Sequence, residues 1–120
     1  MKRILVVDDE QDLLDVVKDF FSGRYEVTTV NSGAAAVEAF KRQRPDIVFL
    51  DVNMPGGSGV DTLQTLRDLD PSVPVVTVTV NMEVGVAESC LERGAFGYVP
   101  KPFDLSYMEH IATLARSGLN

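Results

Sequence analysis

The chain has 120 residues and a formal charge of −7, from 11 basic and 18 acidic side chains. That is one domain's length of sequence, enough to bury a single core, and the wrong charge for gripping a phosphate backbone. The one cysteine, Cys90, rules out an internal disulfide and suits a reducing cytoplasm, where its plainest role is a small buried side chain rather than a nucleophile. Lys2 and Arg3 lead into four apolar residues and then acids, too short a run for a signal peptide, and no apolar stretch reaches membrane-spanning length.

In chain order, β-branched Arg3–Val7 predicts a first strand. Leu13, Val16, Val17, Phe20 and Phe21 then predict a helix with that set as its apolar face, stopped by Gly23. A more polar strand, Glu26–Val30, precedes a helix that opens at Asn31-Ser32, carries Ala36, Val37 and Phe40, and closes before Pro45. Asp46–Leu50 predicts a third strand, and Val60, Leu63, Leu66 and Leu69 a third helix ending before Pro71. Val75–Thr79 is the fourth strand, Glu83–Arg93 the fourth helix with Gly94 just past its end, Phe96–Val99 the fifth strand, and a last helix starts near Asp104 with Met108, Ile111, Ala112 and Ala115 inward. Strands alternating with helices make an α/β domain spanning residues 1–120, a doubly wound parallel sheet with right-handed crossovers. Strands one, three and four are apolar on both faces, as central strands are, and strand two suits an edge.

Ligands of such sheets collect beyond the carboxyl ends of the strands. Strand one ends in Asp8, Asp9 and Glu10, strand three in Asp51, strand four in Thr79, and strand five leads to Lys101 between two prolines. Clustered carboxylates resist ionising together unless a cation joins them, and hard oxygen ligands suit Mg²⁺. Any one of these residues is more simply a helix cap or a solvated turn; all of them at strand ends point to a site.

The stretches "VVDDE", "FLDVNMPGGSG", "VPVVTVTV" and "GYVPKPF", in order and at these spacings, resemble the response-regulator receiver domain over essentially the whole chain. The resemblance implies a five-stranded parallel sheet of order 2-1-3-4-5, the flavodoxin-like receiver fold, and a phosphoprotein of two-component signal transduction. It implies that Asp51 accepts a phosphoryl group from a histidine kinase or histidine phosphotransfer protein in a phosphorelay. Asp8, Asp9, Asp51 and the backbone carbonyl of Asn53 are then the Mg²⁺ ligands, Lys101 pairs with the phosphoryl oxygens, and Thr79 is the hydroxyl that moves toward them. Tyr98 is the aromatic that turns inward with Thr79, switching the face made by helix four, strand five and helix five, and the Lys101–Pro102 peptide is cis.

Two positions depart from the family pattern. Val80 stands where a small residue is usual and is expected to narrow access to Asp51, and Gly57 stands where methionine is common. A phosphatase that phosphorylates an aspartate would need a second aspartate two residues on; here it is Asn53, which transfers no protons, so at most slow autodephosphorylation is expected and not an enzyme's turnover. The alternative is a degenerate receiver acting as a phosphorylation-independent interaction module. His110 lies on the last helix, away from the rim, and the donor histidine is expected on another protein. No DNA-binding segment follows the last helix, so a stand-alone receiver acting on a downstream protein, or one cut from a regulator with a fused output domain, fits equally, with no direct nucleic-acid or membrane contact.

Overall fold

The computed structural model describes residues 1–54, 59–79, 84–101 and 104–116, the side chains of residues 84, 87 and 116 apart. Five strands alternate with five helices: β1 (Arg3–Val7), α1 (Gln11–Phe21), β2 (Glu26–Val30), α2 (Gly33–Arg42), β3 (Ile47–Asp51), α3 (Gly59–Leu69), β4 (Val75–Thr79), α4 (Val84–Glu92), β5 (Gly97–Pro100) and α5 (Leu105–Arg116). The sheet is parallel in order β2-β1-β3-β4-β5, as expected.

Side chains alternate along each strand, so the sheet buries two apolar faces. Ile4, Val6, Ile47, Phe49, Val76, Val78 and Val99 pack with Leu14, Val17 and Phe21 of α1 and with Met108, Ile111 and Ala112 of α5. Leu5, Val7, Val48, Leu50 and Val75 pack on the other face with Phe40 of α2, Leu63 and Leu66 of α3 and Cys90 of α4. Burial pushes the Cys90 thiol above its ordinary pKa, against a hydrogen bond with Thr77 and the charge of Arg93. That environment agrees with a packing role for the residue.

Four expectations shift. Asp51 is the last residue of β3 rather than the residue beyond it, and β5 is Gly97–Pro100 rather than Phe96–Val99. On α1, Val16 is 52 % exposed; the buried stripe is Leu14, Val17 and Phe21. Leu69, expected on the inner face of α3, is exposed at the helix end.

Local signals account for the boundaries. The Ser32 hydroxyl oxygen accepts the Ala35 N–H at 3.1 Å and caps α2. Gly23 and Gly94 take φ of 91° and 95°, the left-handed conformation that ends a helix without a Cβ clash. β5 is an edge strand, which tolerates Pro100. Because Pro100 has no N–H, the next amide, that of Lys101, donates to the Thr79 carbonyl at 2.7 Å. The turn thereby fixes the lysine backbone to the end of β4.

Candidate phosphoacceptor site

At the carboxyl rim of the sheet, the β1, β3 and β5 ends bring Asp8, Asp51 and Lys101 together. Asp8 and Asp51 are each 2 % exposed, a burial that carboxylates tolerate only when paired. The Lys101 ammonium lies 2.7 Å from Asp8 Oδ2 and 3.0 Å from Asp51 Oδ2, and 3.7 Å from Glu10 Oε1.

The second oxygen of each aspartate is held by backbone. Asp8 Oδ1 accepts the Glu10 N–H at 2.9 Å, and Asp51 Oδ1 accepts the Asn53 N–H at 2.8 Å. Both aspartates thus make the same clasp, with one oxygen on the amide two residues on and the other on the shared ammonium. Such local side-chain to backbone bonds are what Asp favours where a strand turns away. The clasp leaves neither carboxylate free to rotate without breaking a charge-assisted hydrogen bond.

The lysine responds to both pulls. Burial lowers its pKa, but hydrogen bonds to Asp8 and Asp51 and the charges of the same two carboxylates outweigh that and hold it above the ordinary lysine value. It is a fixed positive charge at neutral pH.

Asp8, Asp9 and Glu10 each bring a carboxylate oxygen within 4.8 Å of the others. With Asp51 and Lys101, the described rim holds four carboxylates and one ammonium, a net of three negative charges. This donor set is all oxygen, two of its members are buried, and its charge is only partly neutralised, so it fits a hard divalent cation such as Mg²⁺.

Thr79 is buried at the end of β4. By strand alternation it shares a face with Val75, on the α2–α3–α4 side, whereas Asp51 shares the α1–α5 face with Ile47 and Phe49. Tyr98 is half-buried and is the register partner of Thr77, which puts it on the same face as Thr79. Asn53 is exposed, and its amide rather than its side chain marks the site. Asp9 is exposed beside buried Asp8, and His110 is exposed on α5. Val80, Gly57 and the Lys101–Pro102 peptide involve residues outside those described.

The sequence put Glu10 at the rim but assigned it nothing; its pairing with Lys101 is an addition. The two amide clasps are additions as well. A backbone N–H leaves no mark on residue identity, and only the Asp-x-x spacing before each turn could have signalled them.

Residues 4–113 match the family described as the response regulator receiver domain. The chain is 40 % identical over 97 % of its length to the probable transcriptional regulatory protein TcrX of Mycobacterium tuberculosis, covering 51 % of that protein. It is 33 % identical over 95 % of its length to the DNA-binding transcriptional regulator NtrC of Escherichia coli, covering 24 % of it. The chain therefore spans about half or less of these two relatives. Among solved structures, the receiver domain of NtrX from Brucella abortus superposes with a TM-score of 0.88 at 32 % identity, over 95 % of this chain and 98 % of that one. A response regulator receiver domain from Clostridium thermocellum gives 0.90 at 28 % identity, over 98 % and 95 %. With this sheet order and this match over nearly its whole length, the chain belongs to the response regulator receiver domains of two-component signalling.

Proposed function

We propose that this domain accepts a phosphoryl group on Asp51 from a histidine kinase or histidine phosphotransfer protein. The observation that carries the reading is the clasped, buried Asp51 carboxylate, 3.0 Å from the Lys101 ammonium and at the same rim as Asp8. In the transfer an Asp51 carboxylate oxygen forms the new O–P bond while the N–P bond of the donor phosphohistidine breaks, its electron pair returning to the imidazole. Asp8, Asp9, Asp51 and the Asn53 carbonyl would hold Mg²⁺, which when bound supplies positive charge against the phosphoryl oxygens. Lys101, already fixed beside the acceptor oxygen, supplies a second positive charge to them, and its backbone tie to the Thr79 carbonyl keeps it in place.

The phosphoryl group adds charge and acceptor oxygens beside β4. Thr79 donates to it by moving from the face it shares with Val75, and Tyr98, on that same face, follows. The result is a shift between two arrangements of α4, β5 and α5, read by a downstream protein or a fused output domain. Asn53 supplies no proton-transferring group, so hydrolysis is slow and the domain acts as a switch rather than a catalyst. Residues 1–120 act as one cytoplasmic unit, either alone or as part of a larger regulator. Among the described residues no helix is long and apolar enough to cross a membrane.

Incubation with acetyl phosphate and Mg²⁺ should add one phosphoryl mass to the wild-type chain and none to Asp51→Asn. Equal labelling of the variant would move the acceptor elsewhere.

A further inference from the structure

Glu10 is the one acid of the "DDE" run that the reading above leaves without a role. Its backbone is the α1 N-cap and is pinned by the 2.9 Å bond from its N–H to Asp8 Oδ1, but its side chain makes no capping bond. Its carboxylate stands 3.7 Å from the Lys101 ammonium with a side chain 67 % exposed, whereas the other two partners of Lys101, Asp8 and Asp51, are 3 % and 2 % exposed. Glu10 is therefore the solvent-side member of the group around Lys101, and a donor approaching Asp51 past the lysine meets its charge.

The charge count gives this placement consequence. Asp8, Asp9, Asp51 and Lys101 sum to two negative charges, which one divalent cation cancels. Glu10 leaves the loaded site one charge negative. We infer that Glu10 is a specificity-determining residue that disfavours small, freely diffusing phosphoryl donors, and that its basis is the exposed carboxylate beside Lys101. Such donors are anions whose contacts are confined to the rim itself, so nothing outside it offsets the repulsion. A phosphohistidine carried on a protein is positioned by the rest of its interface and is affected less. The inference rests on Asp51 being the acceptor.

A unit charge against a doubly charged donor several ångströms away in water alters the encounter by about three- to tenfold. The effect must fade with salt, because the screening length falls from about 30 Å at 0.01 M to about 3 Å at 1 M. At saturating Mg²⁺, acetyl phosphate should label Glu10→Gln about three- to tenfold faster than wild type at 0.01 M ionic strength, and at nearly the same rate at 1 M. Glu10→Asp, which keeps the charge, should stay near wild type. Beryllofluoride, an anion that reports binding without turnover, should show the same pattern when amide signals are titrated. Equal rates and affinities at low salt would overturn the role, as would a difference that persists undiminished at 1 M, which would mark a local structural effect. Asp51→Asn in the same series separates the two readings. If that variant labels, the acceptor assignment falls; if it stays silent while Glu10→Gln matches wild type, only the Glu10 inference falls.

Discussion

At the scale of single residues, Lys101 is the most consequential side chain in the domain. Its ammonium pairs with three carboxylates, Asp8, Glu10 and Asp51, the first and last of them buried. Removing one partner of a buried pair leaves charge uncompensated and costs about 3–5 kcal/mol, far above the yield of a surface pair. Lys101→Met should thus lower stability in urea by about 3 kcal/mol in EDTA, and Mg²⁺ should restore more to the variant than to wild type. Asp51→Asn should behave oppositely, with unchanged or higher stability, because Lys101 keeps Asp8 and Glu10 and the cluster loses one repelling charge. A Lys101→Met protein as stable as wild type in EDTA would mean that the pairs contribute nothing. The pH dependence has a definite sign. The folded pKa of Lys101 lies above its unfolded value, so its stabilisation is fully present below about pH 10.4 and is lost as pH rises through the folded pKa. The stability gap between wild type and Lys101→Met should stay level from neutral pH to about pH 10 and narrow above it.

At the scale of elements, the sequence was legible where a pattern had one solution. β1, β2 and β4 match their expected bounds, with Asp8 just after β1, Asn31 just after β2 and Pro74 just before β4 as the turn signals that mark them. α1 was less legible because "LLDVVKDFF" carries two overlapping apolar series. The helix buries Leu14, Val17 and Phe21, and Val16 falls roughly 130° around from their mean direction at 100° per residue. Only docking onto Ile4 and Phe49 chooses between the two phases, and that choice is tertiary. The site divides likewise: Asp8, Asp51 and Lys101 were legible because parallel strands share one carboxyl rim, and the amide clasps were not. Close approaches between elements were also hidden. A Cβ on Gly59, the first residue of α3, would clash with the Val52 backbone at Cα, whereas one on Gly85 in α4 meets nothing within 4 Å. The Val52 backbone cannot yield without moving Asn53, whose amide holds Asp51. Gly59→Ala should therefore destabilise by about 1–3 kcal/mol and slow acetyl phosphate labelling, while Gly85→Ala should stabilise by about 0.5–1 kcal/mol through helix propensity. Urea midpoints check both, and a Gly59→Ala domain that labels at the wild-type rate would show that the α3 entry does not brace the site.

At the scale of the whole molecule, the sheet has two unequal ends. β2 is an edge flanked by α1 and α2, and Ser32 caps the latter firmly. β5 is the other edge, with β4 as its one strand neighbour and with α4 and α5 on opposite faces. The rim connects to this second end through covalent and hydrogen-bonded backbone: Lys101 contacts Asp51, its own amide holds the Thr79 carbonyl, and Tyr98 lies three residues back along β5. A ligand shifts a conformational balance only by binding one state better, and under the proposed reading the new contacts of a phosphoryl group on Asp51 would fall on Thr79 and Lys101, both at the β4–β5 end. Large apolar side chains are also left exposed there, Leu91 on α4 at 48 % and Tyr107 on α5 at 44 %, so a rearrangement at this end alters a surface able to bind a partner. Beryllofluoride with Mg²⁺ should therefore shift the amide signals of α4, Tyr98 and the first turns of α5, and leave β2 and α2 nearly still. Shifts confined to Asp8–Glu10, Asp51–Asn53 and Lys101 would show that the group binds without reaching the β5 end, and the domain would then signal through the rim itself.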